Sequence, residues 1–161
     1  MISTTFDEII THVLADEGGY VNDPADTGGE TKYGISKKQY PNLDIKNLSL
    51  DAAKEIYKRD YWDKYQCEKI PDSLKYVYFD MCVNMGGKRA VLILQQAAYC
   101  KGYHDLKVDG ILGPITLKSI NDLTIESIQA YRVLFYAQLA VRMPEQSKFL
   151  YGWCKRAVSC P

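Results

Sequence analysis

Apolar residues recur at spacings of three and four through most of the chain, a period that predicts helices. Phe6, Ile10 and Val13 share one face of a helix predicted from Thr4 to Glu17, which Gly18 and Gly19 stop. From Tyr20 to Ser36 the period is lost. There the glycines, Asn22, Asp23 and Pro24 punctuate two short stretches that read as a β-hairpin or an irregular β-loop. Ser49 reads as the cap of a second helix through Tyr61, and Ser73 as the cap of a third through Met85, ended by Gly86-Gly87. A fourth helix covers roughly Lys88 to Lys101, and Gly102 to Leu112 is a loop. Pro114 opens a short helix, and Ile125 to Met143 forms a long one. No repeat or low-complexity tract interrupts the pattern. The expectation is an α+β fold, mainly α, with one small β-element after the first helix.

Composition narrows the classes. At 47% hydrophobic and 25% charged, the 161 residues can build a core, which excludes a disordered or fibrous chain. Lys+Arg and Asp+Glu balance at zero net charge, so no global field recruits nucleic acid. The longest apolar run, Ala90 to Leu94, is too short for stable membrane insertion. Ahead of Lys32 stand seven carboxylates and no Lys or Arg, which predicts a product made in the cytoplasm without a secretory signal. Arg132 to Pro161 carries five basic residues against one acid, Glu145. That tail reads as a solvated helix surface, or as a strip that leans on anionic polymers. Cys67, Cys82, Cys100, Cys154 and Cys160 lack CxxC spacing, and His12 and His104 are the only histidines, a poor set for zinc. Buried free thiols are the expectation, and no metal or organic cofactor is indicated.

One residue breaks the pattern of the first helix. At about 100° per residue from Phe6, Ile10 falls near 40°, Val13 near 340° and Glu17 near 20°. Glu17 therefore leaves the middle of the apolar stripe just where the helix stops. Partial burial and a helix C-terminus both disfavour its ionised form, raising its pKa toward that of a general acid. The other reading is a Glu that curls into solvent at a frayed end or pairs with a distant base. The following loop, with four glycines and Pro24, carries Asp23, Asp26 and Thr31, which can face that acid. Such a carboxyl pair suits glycoside cleavage. The loop lacks the alternating oxygen ligands of a calcium site and the Gly-Lys-Ser/Thr of a phosphate loop.

The segment from Glu17 to Ile35 closely resembles the signature of glycoside hydrolase family 108, the bacterial and phage N-acetylmuramidases typified by small endolysins. The resemblance continues through Tyr61-Trp62, Cys67, Phe79-Asp80 and Val83-Asn84-Met85-Gly86. Val108 to Thr116 resembles the peptidoglycan-binding-type region that commonly follows. The resemblance implies a lysozyme-like fold, with a catalytic region over 1–90 and a helical C-terminal region over 91–161 packed into the same globule. It implies cleavage of the β-1,4 bond between N-acetylmuramic acid and N-acetylglucosamine in peptidoglycan glycan strands, by a monomer. Glu17 matches the catalytic acid, Asp26 the second position and Thr31 the third, with Asp23 able to exchange roles with Asp26. A phage or prophage lysin made in the host cytoplasm, reaching the wall after release and lysing the cell, fits the family. Lytic transglycosylase action and non-catalytic wall binding are the competing functions.

Other residues carry two readings each. Tyr20 and Tyr33 stack on sugar faces or serve as hairpin core. Asp80 and Asn84 share a helix face; Asn84 donates to an N-acetyl group, or the pair forms an internal packing bond. Tyr61 and Trp62 read as core, Glu30 as an exposed turn residue and His12 as solvent-facing. Asp109-Gly110 and Gly113-Pro114 read as turn chemistry.

Overall fold

The first helix begins where a capping box closes. Glu8 accepts from the Thr5 backbone N–H through Oε2 at 3.0 Å, and Thr5 Oγ1 accepts from the Glu8 N–H at 3.4 Å. The structure, a computed structural model, describes residues 5–16, 20–21 and 29–159. The chain divides into two compact units, residues 1–64 and 65–161. Among the described residues no helix is long and apolar enough to cross a membrane.

In the first unit, α1 (Phe6–Asp16) buries Ile9, Ile10, Val13 and Leu14 and leaves Thr11 and His12 exposed. This is the stripe that the sequence predicts. Each such aliphatic side chain contributes roughly 1.5–3 kcal/mol on full burial. Phe6 sets its ring edge on Trp62, 5.4 Å between centroids. After β1 (Thr31–Lys32) and β2 (Ile35–Ser36), α2 (Leu50–Tyr57) starts at Ser49, whose side chain accepts from the Ala52 N–H. The second helix reaches its expected end by a different winding: Lys58–Asp63 form a π-helical turn. Trp62 on that turn is buried, whereas Tyr61, expected in the core, is only half-buried. Arg59 grips Asp60 with two nitrogens, at 2.7 and 2.8 Å, while Tyr40 donates to the same carboxylate at 2.7 Å. The Arg59 hydrogen bond, with Tyr40 assisting, pushes the Asp60 carboxyl down to about 2.

The second unit is helical throughout its regular elements. A short 3-10 turn (Cys67–Lys69) leads into α3 (Asp72–Met85), which packs on that turn and on two later helices, α4 (Gly87–Cys100) and α6 (Ile125–Arg142). Pro71 precedes α3 without any side-chain cap, so Ser73 lies inside the first turn and is not the expected cap. Burial on several sides of α3 explains why its sequence shows little amphipathic contrast. Gly86 ends α3 at φ +83°, and Gly87 already opens α4, so the expected glycine stop is a corner with no intervening loop. A Cβ on Gly87 would stand 2.1 Å from the Tyr65 ring, a close approach only glycine permits.

Pro114 opens α5 (Pro114–Ser119) as expected, and Thr124 and Ser127 close a capping box on α6. The chain after Met143, legible only as a basic tail, forms a 3-10 stretch (Pro144–Phe149) and α7 (Leu150–Ser159). Trp153 of α7 stacks on Tyr136 of α6 at 5.2 Å. The tail is not simply solvated: Arg132 is fully buried and Arg156 half-buried, while Arg142, Lys148 and Lys155 face water. The thiol expectation holds for buried Cys67 and Cys82 and fails for Cys100, which is exposed. Burial, then the hydrogen bond with Cys67, raises the Cys82 thiol far above its ordinary value.

Candidate active site

The hairpin after α1 is built on a two-residue turn. Lys32 pairs with Ile35 and Thr31 with Ser36, leaving Tyr33 and Gly34 as the turn at φ +53° and +72°. Positive φ at both positions is the geometry whose twist matches that of the flanking strands. Gly34 adopts it freely, whereas Tyr33 is held there at a cost of order 1 kcal/mol or more. The Tyr57 hydroxyl donates to the Tyr33 carbonyl at 3.0 Å, and Lys32 Nζ lies 5.4 Å from the ring centroid. The aromatic ring therefore stands beside a cation on a turn whose backbone α2 pins.

Thr31 has a strand neighbour on each side, and its own N–H and C=O both go to the same one. Beyond Ser36 on one edge, Val21 exchanges both backbone hydrogen bonds with Thr31 on the other, each 2.8 Å. The Thr31 side chain is half-buried, and its hydroxyl donates to the Gly29 carbonyl at a long 3.4 Å. Its lone pairs remain available to an acceptor's partner. Tyr20 donates to Glu30 Oε1 at 2.8 Å across the same ribbon, a diagonal pair. Glu30, expected as an exposed turn residue, is thus half-buried and holds the Tyr20 ring in place. The periodicity alone could not reveal this, because the Val21–Thr31 register had to be known first.

Thr31, Tyr20 and Tyr33 are gathered on this one ribbon. Glu17, Asp23 and Asp26 lie outside the described residues. Asn84 belongs to the second unit, where it is exposed on α3. Both of its donor contacts go to Asp80, at 2.7 Å to the carbonyl and 3.0 Å to Oδ1. The Asp80 carbonyl only accepts, so the amide nitrogen must face Asp80 and the amide oxygen must face away. The donor role expected of Asn84 is occupied; what it offers outward is an acceptor.

Asp80 itself is buried and belongs to an ion cluster that the spacing did not disclose. Arg132 Nη2 lies 2.6 Å from Oδ2, and Arg156 donates to Oδ1 through Nε at 3.2 Å and Nη2 at 2.9 Å. The internal bond of the Asp80–Asn84 pair is thus present, and through Asp80 it extends to two arginines far along the chain. Among the described residues no group of three His, Cys, Asp or Glu could hold a metal.

Comparison with known proteins bears on the whole chain. Residues 10–86 match the family model described as glycosyl hydrolase 108, and residues 89–158 match one described as a predicted peptidoglycan domain. The junction falls at the Gly86-Gly87 corner. The structure of SagA from Brucella abortus superposes with a TM-score of 0.68 at 25% identity, covering 96% of this chain and 94% of that one. No curated protein matches the chain. The mainly helical architecture with its small hairpin after α1, and the two matches that together run from residue 10 to residue 158, lead to one assignment: the chain carries a glycosyl hydrolase 108 domain over residues 10–86 and is a peptidoglycan hydrolase of the N-acetylmuramidase type.

Proposed function

We propose that Glu17 is the general acid of this muramidase and that Asp26 and Thr31 complete the reacting group. The glycosyl hydrolase 108 match over residues 10–86, which contains all three, carries the reading. Glu17 protonates the glycosidic oxygen as the sugar gains oxocarbenium character. Asp26, ionised, orients the attacking water or stabilises the cation, and the Thr31 hydroxyl, whose proton goes to the Gly29 carbonyl, positions that water by accepting from it. The paired backbone hydrogen bonds with Val21, which hold the Thr31 backbone in the ribbon, support this role for Thr31. Tyr20 and Tyr33 lie along the glycan, and Asn84 contributes its amide oxygen to a sugar hydroxyl or N-acetyl N–H.

The chain acts as a monomer on the cell wall after release from the cytoplasm where it is made, and its action lyses the cell. Residues 1–90 form the catalytic region and 91–161 the wall-associated one. Muropeptide analysis of purified peptidoglycan tests the reaction. Hydrolysis yields reducing N-acetylmuramic acid ends, whereas anhydro products lighter by one water would mark a lytic transglycosylase. Glu17→Gln keeps the shape and removes the proton, so clearing by that variant at near wild-type rate would remove Glu17 from the mechanism.

A further inference from the structure

In the peptidoglycan-domain match lies a cavity that the glycan-cleaving residues do not use. It measures about 250 Å³ and lies between the 102–106 loop and α5, lined by Tyr103, His104, Asp105, Leu106, Ile115 and Lys118 among others. Its walls are built, not incidental. Gly102 turns at φ +115°, the Tyr103 hydroxyl donates to Asp122, and Lys101 Nζ donates to the Asp122 carbonyl. The His104 ring meets Tyr99 edge-on at 4.9 Å. Leu106 is buried, whereas Ile115 leaves 64% of its surface to water at the mouth. Gln95 fixes the far end of the same loop by accepting from the N–H groups of Asp109 and Gly110 at 3.0 and 2.8 Å.

The lining carries charges of both signs, the exposed Lys118 and Asp105. Lys118 Nζ and the Asp105 carboxylate make no hydrogen bond or ion pair with any described residue. A cavity lined by one Lys, one Asp and the apolar side chains of Leu106 and Ile115 suits a zwitterion with a small apolar group. Its volume lies under the ~300–1,000 Å³ of sites for drug-sized ligands, so it admits one or two small residues and not a glycan segment.

We propose that this cavity binds the free end of the peptide stem of peptidoglycan. The terminal carboxylate meets Lys118, the free ammonium of the diamino residue meets Asp105, and the alanine methyl rests on Leu106 and Ile115. The proposal rests on peptidoglycan being the substrate, and it gives the enzyme a second hold on the wall, independent of the sugars. Linking two weak sites in one chain raises retention on a polymer that carries both ligands.

The test is an amide chemical-shift titration of the full chain with a synthetic tetrapeptide of alanine, γ-linked glutamate, diaminopimelate and alanine, carrying no sugar. Saturable shifts confined to residues 102–106 and 115–119 are expected. Lys118→Glu should weaken binding about tenfold or more, the scale of one charge-assisted contact, and Lys118→Arg should retain it. Asp105→Lys should weaken it independently, and the amide dispersion of each variant reports that it is folded. No saturable shift, the same affinity in Lys118→Glu, or displacement of these same amides by an N-acetylglucosamine tetramer would overturn the proposal. Wall digestion by the wild-type chain is followed in parallel, so a failure of the hydrolase reading shows there and not in the peptide titration.

Discussion

Arg132 Nη2 lies 2.6 Å from Asp80 Oδ2 with Arg132 wholly removed from solvent, while Arg156 takes the other oxygen at 2.9 Å. One carboxylate on α3 thus ties α6 and α7 together. The cluster holds two positive charges against one negative, and Arg132 Nε and Nη1 meet no hydrogen-bond acceptor among the described residues. Removing the carboxylate leaves a buried guanidinium uncompensated. Asp80→Ala should cost about 3–5 kcal/mol in urea unfolding. The pair Asp80→Leu with Arg132→Met should lose less than the sum of the single changes, because no orphaned charge remains. Additive losses would show that the two residues are not coupled.

The Gly87 corner predicts a steric cost. A methyl group there meets the Tyr65 ring at 2.1 Å, well inside contact distance, and the ring's own hydroxyl-bearing neighbour Tyr78 is fixed by donating to the Tyr65 carbonyl at 3.0 Å. Gly87→Ala should lower stability by about 1–3 kcal/mol, measured by thermal unfolding. Tyr65→Ala in the same chain should restore part of that loss relative to its own background.

Stability should also depend on pH through Asp60. Its carboxyl falls from an ordinary 3.8 to about 2 in the folded chain, held down first by Arg59. The folded value lies below the unfolded one, so the stabilisation is complete above about pH 4 and is lost as pH falls through 2. With Arg59 largely exposed, the contribution is about 1 kcal/mol rather than the full linkage value. Denaturant midpoints between pH 5 and 2 should fall less steeply for Asp60→Asn than for the wild type.

Gln95 organises the loop before α5. Its Nε2 donates toward Asp109 Oδ1, the Ile111 carbonyl and Thr116 Oγ1, and its Oε1 accepts two backbone N–H groups. Gln95→Leu keeps the volume and leaves the donors of Asp109 and Gly110 without their acceptor. A loss of about 1–3 kcal/mol is expected, with hydrogen exchange accelerated first at residues 109–111. Protection unchanged at those amides would contradict the role.

Local chemistry made several of these features readable. The stripe of α1 follows from Ile10 and Val13, and Pro114 and Ser49 mark helix starts because their backbone effects act within one turn. The hairpin was placed between Tyr20 and Ser36 by its glycines, yet its register was not, since Tyr33 as a turn residue at positive φ goes against ordinary preference. The π-helical turn at Lys58–Asp63 likewise has the composition of an α-helix. The family motifs point to Glu17, Asp26 and Thr31, and the structure adds to them the Val21 hydrogen bonds of Thr31 and the outward oxygen of Asn84.

By itself the sequence determined the class of fold, the first helix with its buried face, the place of the β-element and the family of the chemistry. These are properties of short spans, where spacing and turn residues act over a few positions. Only the tertiary structure decided that Asp80 is a buried anchor for Arg132 and Arg156, that Glu30 serves Tyr20, and that Gln95 reaches the loop around Gly110. Those relations join residues 10 to 76 positions apart, and a charged side chain carries no local mark of the partner that will neutralise it after folding.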